Sequence, residues 1–388
     1  LLTCKHHEGF CLWPSKYTEF SVKNSPWKDG KGDIVKEVSE ACREEGLKFG
    51  VYLSPWDVHE ETYGTPAYND YFCNQLTELC SNYGELFCVW FDGACRTADK
   101  VQGYDWDRYY SLIRKLQPNA CISICGPDVR WIGNEAGESR EEEWSVVPKS
   151  IMVTERNPGY WRQLDTMPNS TWKDIGSRDF IKDYDELIWY PAEVDVSIRP
   201  SWGYVEGEEK QLYSLETLLY MYEKAVGGNA TLLLNVPPNK EGLFDLEDVE
   251  RLAELGKAIR GLFSRPQTTG AKAFQKNRSN AEAILDADRT HFVELAGECQ
   301  EIEIQLQGEH TIDFIVLKET IEKGQRVEKF AVDIWREDQW KEIYQATTIG
   351  YQRFGRIEPV QTERVRVRIL ESRGTVYLTE IGLYHTEK

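Results

Sequence analysis

No stretch of this 388-residue chain holds the roughly 18 consecutive apolar residues that cross a bilayer, so membrane insertion is not expected. Basic residues are in short supply, 46 Lys and Arg against 65 Asp and Glu, for a formal charge of −19. That acidity repels phosphate backbones and anionic lipid, and nucleic acid is excluded as a partner. There is no Cys-x-x-Cys pair. Most of the ten cysteines (Cys4, Cys42, Cys73, Cys80, Cys88, Cys121 and Cys125) sit among apolar neighbours, where a thiol behaves as a small hydrophobe. Cys121 and Cys125 share a strand face but are too far apart for a usual bridge. This usage favours a reducing compartment over a disulfide framework, and nothing else in the chain assigns a location. No Gly-x-Gly-x-x-Gly follows a strand, which disfavours a doubly wound nucleotide-binding sheet. No Gly-x-Ser-x-Gly elbow supports a Ser-His-Asp triad. No His-x-His pair exists, and His6 and His7, being adjacent, are expected to point to opposite sides of a strand. Neither a metal nor a cofactor is expected.

What is present is a repeated unit. In "GDIVKEVSEACREEGLKFGVYLSPWD", Ile34, Val35, Val38, Ala41 and Cys42 recur at helical spacing, Gly46 stops the helix, and a strand runs from Phe49 to Leu53. "YNDYFCNQLTELCSNYGELFCVWFDGA" and "YDWDRYYSLIRKLQPNACISICGPDVRW" repeat the pattern. Later come "AEVDVSIRPSW", a helix over 214–226 closed by Gly227 and Gly228, the strand "TLLLNVPPN" and a helix over 245–263. Strands ending near His7, Ser54, Asp92, Gly126, Ile198 and Val236 make up most of a (β/α)8-type barrel, with chemistry at the strand C-termini. The aromatic and polar stretch 144–190 reads as an active-site loop with a further strand. After about residue 265 the period changes to two. "EIEIQLQ", "TIDFIVLKE", "KFAVDIW", "RVRVRIL" and "VYLTEIGLYH" predict an all-β sandwich. The expected division is a catalytic α/β barrel over 1–264 and a β-sandwich over 265–388.

The barrel strand ends carry His6, His7, Trp56, Asp57, His59, Asp92, Asp128, Arg130, Trp131 and Glu135. Asp92 ends an apolar run, "LFCVWFDGA", and is followed by Gly93, which lets a ligand approach closely. Aromatic faces beside carboxylates and imidazoles suit a sugar, whose C–H face packs on rings while its hydroxyls take hydrogen bonds. A glycosidase needs a second carboxyl group, and "GPDVRWIGNEAGESREEEW" offers several. The run Glu141 to Glu143 reads as a solvated face. Glu135, set between Asn134 and Ala136-Gly137, is expected to fold inward, whereas Glu138 opens a charged run.

Together "LTCKHHEGFCLWPSKY", "KFGVYLSPWD", "VWFDGA", "GPDVRWIGNEAG", "AEVDVSIRPSW" and "LLLNVPPNKEGL" resemble the α-L-fucosidases of glycoside hydrolase family 29. "GNEAG" with "DVSIRP" is most similar to the branch acting on α-1,3- and α-1,4-linked fucose. The resemblance implies a retaining double displacement on a fucosylated oligosaccharide, with Asp92 as nucleophile and Glu135 as general acid/base. It further implies that His6 and His7 hold fucose hydroxyls, that Trp56 and Trp202 pack on apolar parts of the sugar, and that Arg130 is a cation near the carboxyl pair. It implies an additional first strand ahead of the one that opens this chain, and is compatible with a secreted or periplasmic location. Oligomeric state is not assigned.

Two other classes fit the same features. One is a non-catalytic fucose-binding lectin on the same scaffold, and the presence of both Asp92 and Glu135 in their motifs argues against it. The other is an adhesin whose sandwich binds glycans through aromatics such as Trp335 and Trp340. Packing support for the barrel is the simpler reading of that sandwich.

Overall fold

The computed structural model describes residues 1–93, 100–156, 166–277, 279–286, 288–297 and 300–386, and these gather into two compact units. The first comprises Leu1–Trp131, Val147–Ile175 and Asp183–Tyr190; the second comprises Ile132–Val146, Gly176–Lys182 and Pro191–Lys388.

In the first unit the repeated pattern folds as read. Strand β1 (Leu2–Lys5) is followed by helix α1 (Ile34–Glu44), β2 (Gly50–Leu53), α2 (Ala67–Asn82), β3 (Cys88–Phe91), α3 (Trp106–Leu116) and β4 (Cys121–Ile124). The four strands form one parallel sheet in the order β1-β2-β3-β4. Helix starts are fixed by side chains: Asp33 accepts the Lys36 amide ahead of α1, and Asp105 accepts the Arg108 amide ahead of α3. On α2, Tyr68, Phe72, Leu76 and Leu79 are fully buried. At one per turn they form the stripe that seats the helix, each contributing roughly 1.5–3 kcal/mol of apolar burial. Eight described cysteines carry free thiols, six of them buried. Cys121 departs from its expected apolar setting and is exposed at the first residue of β4.

Beneath this sheet's polar end lies a buried ion pair. The Lys5 ammonium stands 2.8 Å from Asp57 Oδ2, both side chains almost wholly excluded from water. The rings of Tyr68, Tyr71 and Phe72 lie within 6 Å of the same ammonium. Asp57 Oδ1 accepts the amides of His59 and Glu60, so one carboxylate neutralises the cation and folds the turn after β2. Gly9 has φ of +89°, and a Cβ there would sit 2.6 Å from Asp57 Oδ1, so only glycine fits.

The stretch 144–190 contains strand β6 (Val146–Pro148), α4 (Lys149–Glu155), α5 (Arg178–Ile181) and β7 (Leu187–Trp189), preceded by the two-residue strand β5 (Arg130–Trp131). Strands β6 and β7 pair with each other, so the expected further strand is a two-stranded sheet.

In the second unit β8 (Ala192–Ser197) and β9 (Ala230–Asn235) pair in parallel from Ala192↔Ala230 to Ser197↔Asn235. Helices α6 (Leu215–Val226) and α7 (Leu246–Leu262) pack with them through Val196, Ile198, Leu218, Met221 and Leu255. The antiparallel part then follows: β10 (Lys272–Gln275), β11 (Val293–Leu295), β12 (Glu301–Glu319), β13 (Val327–Arg336), β14 (Gln339–Ala346), β15 (Arg353–Ser372) and β16 (Val376–Tyr384). "EIEIQLQ" and "TIDFIVLKE", read above as two strands, are one 19-residue strand. Its register slips between Gln305 and His310, where Gly308 adopts a φ of +100°. The bulge lets the two parts of one strand pair with different neighbours. Its first part lies between β10 and the end of β15, and its second part between β16 and the start of β15. Ile304, Val332, Val367, Leu317, Leu378 and Leu383 share one core. The seven strands form one sheet in the order β11-β16-β12-β15-β13-β14, with β10 on β12.

Removing one partner of a buried pair leaves the other charge stranded. Asp57→Ala should therefore lower the unfolding free energy by roughly 3–5 kcal/mol in chemical denaturation, because Lys5 would stay buried without its counter-charge. A loss below about 1 kcal/mol would mean that Lys5 reaches water in the variant.

Candidate active site

The parallel register brings the ends of β1, β2 and β3 to one level, and polar side chains gather there. Asp92 follows β3 directly and is half-buried. The Tyr52 phenol, from β2, donates to Asp92 Oδ2 at 2.7 Å. Burial, reinforced by the Asp92 charge, pushes this phenol far above its ordinary pKa, so it remains a donor. His7 places Nε2 3.7 Å from the same Oδ2. Its other nitrogen, Nδ1, is 2.6 Å from the buried Ser54 hydroxyl. The Trp56 ring lies 4.6 Å from the His7 ring, centroid to centroid, and its buried indole N–H has no hydrogen-bond partner among the described residues. His6 is more exposed. Its ring stacks over Tyr52, and its Nδ1 is 3.4 Å from Glu8, whose carboxyl the bond to His6 holds below its ordinary pKa.

One expectation is corrected here. His6 and His7 do not diverge, and their ring centroids are 4.0 Å apart. Side-chain alternation holds only within a strand, and β1 ends at Lys5. Ligating atoms of His6, His7 and Asp92 all lie within 4.8 Å of one another, so the argument from divergence against a shared ligand or cation fails.

Glu135 belongs to the second unit, in a loop built by its own small residues. Asn134 accepts the Ala136 amide through its side-chain oxygen and donates to the Glu138 carbonyl, closing an Asx turn around Glu135. Gly137, at φ +80°, lies against Met221 of α6, where a Cβ would meet Cγ at 2.5 Å. Glu135 does not fold inward as expected; it is exposed, as is Glu138. What distinguishes Glu135 is its partner: the Trp202 indole N–H donates to Glu135 Oε2 at 3.1 Å. Trp202 is itself 41% exposed, and its backbone is well held. Asn235, at the end of β9, donates to the Trp202 carbonyl; Ser197, at the end of β8, donates to the Ser201 carbonyl; and Glu208 accepts from both the amide and the hydroxyl of Ser201. Arg199, wholly buried, is clamped by Asp245 and Asp248 at the start of α7. The motif "DVSIRPSW" is thus a rigid turn that presents one indole.

Residues 1–260 match the family model for α-L-fucosidase. The chain belongs to the α-L-fucosidase family. Over 99% of its length it is 35% identical to α-L-fucosidase 1 of Arabidopsis thaliana, covering 75% of that protein. A solved family relative from Bacteroides ovatus matches all of the chain at 42% identity and a TM-score of 0.87, and the chain spans 64% of it. A fucosidase of glycoside hydrolase family 29 from Ruminococcus gnavus, solved in complex with fucose, is 28% identical with a TM-score of 0.84; it matches the whole chain, which covers 82% of it. The chain is accordingly a glycoside hydrolase of this family.

The remaining strand-end candidates have structural partners. Arg130 is fully buried, and its Nε donates to the Tyr190 carbonyl, while the Tyr190 hydroxyl bonds the carbonyls of Ile124 and Gly126. Asp128 is held by Arg114 and the Ile122 amide. Asp57 is taken by Lys5, and His59 stacks on Phe20. The run Glu141 to Glu143 is not a uniformly solvated face: Glu143 is fully buried against Arg140 at 2.9 Å, and Glu142 accepts the Trp144 indole N–H. The partner of Glu143 sits three residues back in the same loop. Sequence reasoning missed Tyr52 and Ser54, although residues two apart share one face of a strand.

Trp202→Phe keeps the ring and deletes the donor to Glu135. Fucoside hydrolysis should fall roughly two- to tenfold, the net worth of one ordinary hydrogen bond at an exposed site, with unchanged thermal unfolding. Steady-state kinetics beside a melting curve check both.

Proposed function

We propose that the protein is a retaining exo-α-L-fucosidase that removes terminal α-1,3- or α-1,4-linked fucose from Lewis-type oligosaccharides. The observation that carries this reading is the grouping of Asp92 with Tyr52, His7, His6 and Trp56 at adjoining strand ends. In this account Asp92 attacks the anomeric carbon, the C–O bond to the leaving sugar breaks, and Glu135 protonates the departing oxygen. Water, deprotonated by Glu135, then cleaves the fucosyl–Asp92 ester, releasing fucose and regenerating both groups. His6 and His7 grip hydroxyls; Trp56 and Trp202 cover apolar edges of the sugars. Arg130 acts from within the fold, as a buried cation fixing the segment that ends at Tyr190. The domain arrangement proposed with it is a (β/α) barrel over 1–264 and a supporting β-sandwich over 265–388, in keeping with the parallel strand–helix alternation before α7 ends and the antiparallel pairing that begins at β10.

Tyr52 supports the nucleophile role of Asp92 in two ways. Its hydrogen bond orients the carboxylate, and a phenol that stays protonated stabilises the charge that returns to Asp92 when the ester is cleaved.

Asp92→Asn should abolish turnover in a folded protein. Glu135→Ala should slow hydrolysis of poor leaving groups by roughly 10²–10⁴, with a smaller loss on activated aryl fucosides. Added azide should restore turnover in Glu135→Ala and yield α-fucosyl azide, because a small anion needs no general base and its displacement of Asp92 is the second of two inversions. Free fucose released from a Lewis-type trisaccharide, at a higher kcat/KM than from an aryl fucoside, is the expected wild-type result; tight binding without release is the lectin outcome.

A further inference from the structure

The single proton on Ser54 decides which nitrogen of His7 carries hydrogen. Ser54 is fully buried just past β2. Its Oγ lies 2.7 Å from the Trp56 carbonyl oxygen and 2.6 Å from His7 Nδ1. A carbonyl has no proton to give, so the hydroxyl hydrogen occupies the contact with Trp56. The hydroxyl can then only accept from His7, and Nδ1 is the protonated nitrogen. In neutral imidazole this leaves the lone pair on Nε2, the nitrogen 3.7 Å from Asp92 Oδ2.

We infer that Ser54 is a positioning residue that locks His7 in the Nδ1–H tautomer, so that Nε2 presents an acceptor beside Asp92 and accepts a hydrogen bond from a substrate hydroxyl. The lock itself follows from the hydroxyl geometry; that the donor is a sugar hydroxyl rests on the proposed fucosidase function. The opposite tautomer would turn an N–H toward Asp92, adding a second donor to the Oδ2 that already accepts from Tyr52. It would also face a sugar hydroxyl as a donor and not an acceptor. The lock thus serves both partners of His7: it withholds a proton from the carboxylate and offers the substrate a lone pair. A ring hydroxyl at that point must be a donor, so a deoxy or O-methyl sugar at the same position loses the contact.

The test reads the tautomer directly. With only six histidines, protein labelled with ¹⁵N-histidine gives a tractable long-range ¹H–¹⁵N spectrum, and loss of one signal set in His7→Gln assigns His7. At a pH where the ring is neutral, the wild-type chain should show a protonated Nδ1 and an unprotonated Nε2. Ser54→Ala should move His7 toward the Nε2–H form and lower kcat/KM on a fucoside roughly tenfold, as loss of the partner that orients a functional histidine does elsewhere. Ser54→Thr, which keeps the hydroxyl, should hold the wild-type pattern. A wild-type Nε2–H spectrum, or an Nδ1–H pattern unchanged in Ser54→Ala, overturns the inference. An Nδ1–H pattern in a chain that releases no fucose supports the lock and counts against the proposed function alone.

Discussion

The described site depends on the register of three short parallel strands. Thr3 pairs with Tyr52, and Tyr52 with Trp90, so β1, β2 and β3 stop together and their next residues stand side by side. A slip of one residue would turn Tyr52 to the opposite face and take the donor from Asp92. The register is held from below. Lys5 closes β1 with its charge on Asp57 and its ammonium ringed by Tyr68, Tyr71 and Phe72, and Asp57 sets the turn that carries Trp56 and His59. A buried ion pair is weak evidence for stability, but it is a strong constraint on geometry, because neither charge tolerates displacement.

The second unit treats its functional loop in the same way. Arg199 is buried with two aspartates at the head of α7, and the turn after it is held by Ser197, Asn235 and Glu208. The reward is one exposed indole whose N–H is aimed at Glu135. In both units a buried charge pair lies within a few residues of the side chains proposed to meet substrate. Rigid support beneath an exposed group is what positional catalysis requires.

Much of this was legible in the residues. The helix–strand periodicity located β1 to β4, β8, β9 and their helices, since each strand is a short apolar run bounded by turn residues and each helix carries a clear stripe. The polar character of the strand ends pointed to Asp92, His6 and His7. What was not legible depended on where strands end or bulge and on which side chains meet once the backbone is set. The convergence of His6 and His7 follows from β1 ending at Lys5, the burial of Glu143 from its pairing with Arg140, and the merging of two apparent strands into β12 from a bulge near Gly308. Tyr52 looked like a strand residue because it is one; only its neighbour across the sheet makes it part of the site.

In the proposed mechanism Asp92 becomes covalently linked to the sugar. The most direct measurement is mass spectrometry of peptides after incubation with 2-deoxy-2-fluoro-fucosyl fluoride, whose fluorine at C2 slows both steps while the fluoride leaving group keeps the first accessible. The account predicts one fucosyl adduct, on the peptide containing Phe91-Asp92-Gly93, and none in Asp92→Asn. An adduct on another carboxylate, or none in a chain that still hydrolyses fucosides, would contradict it.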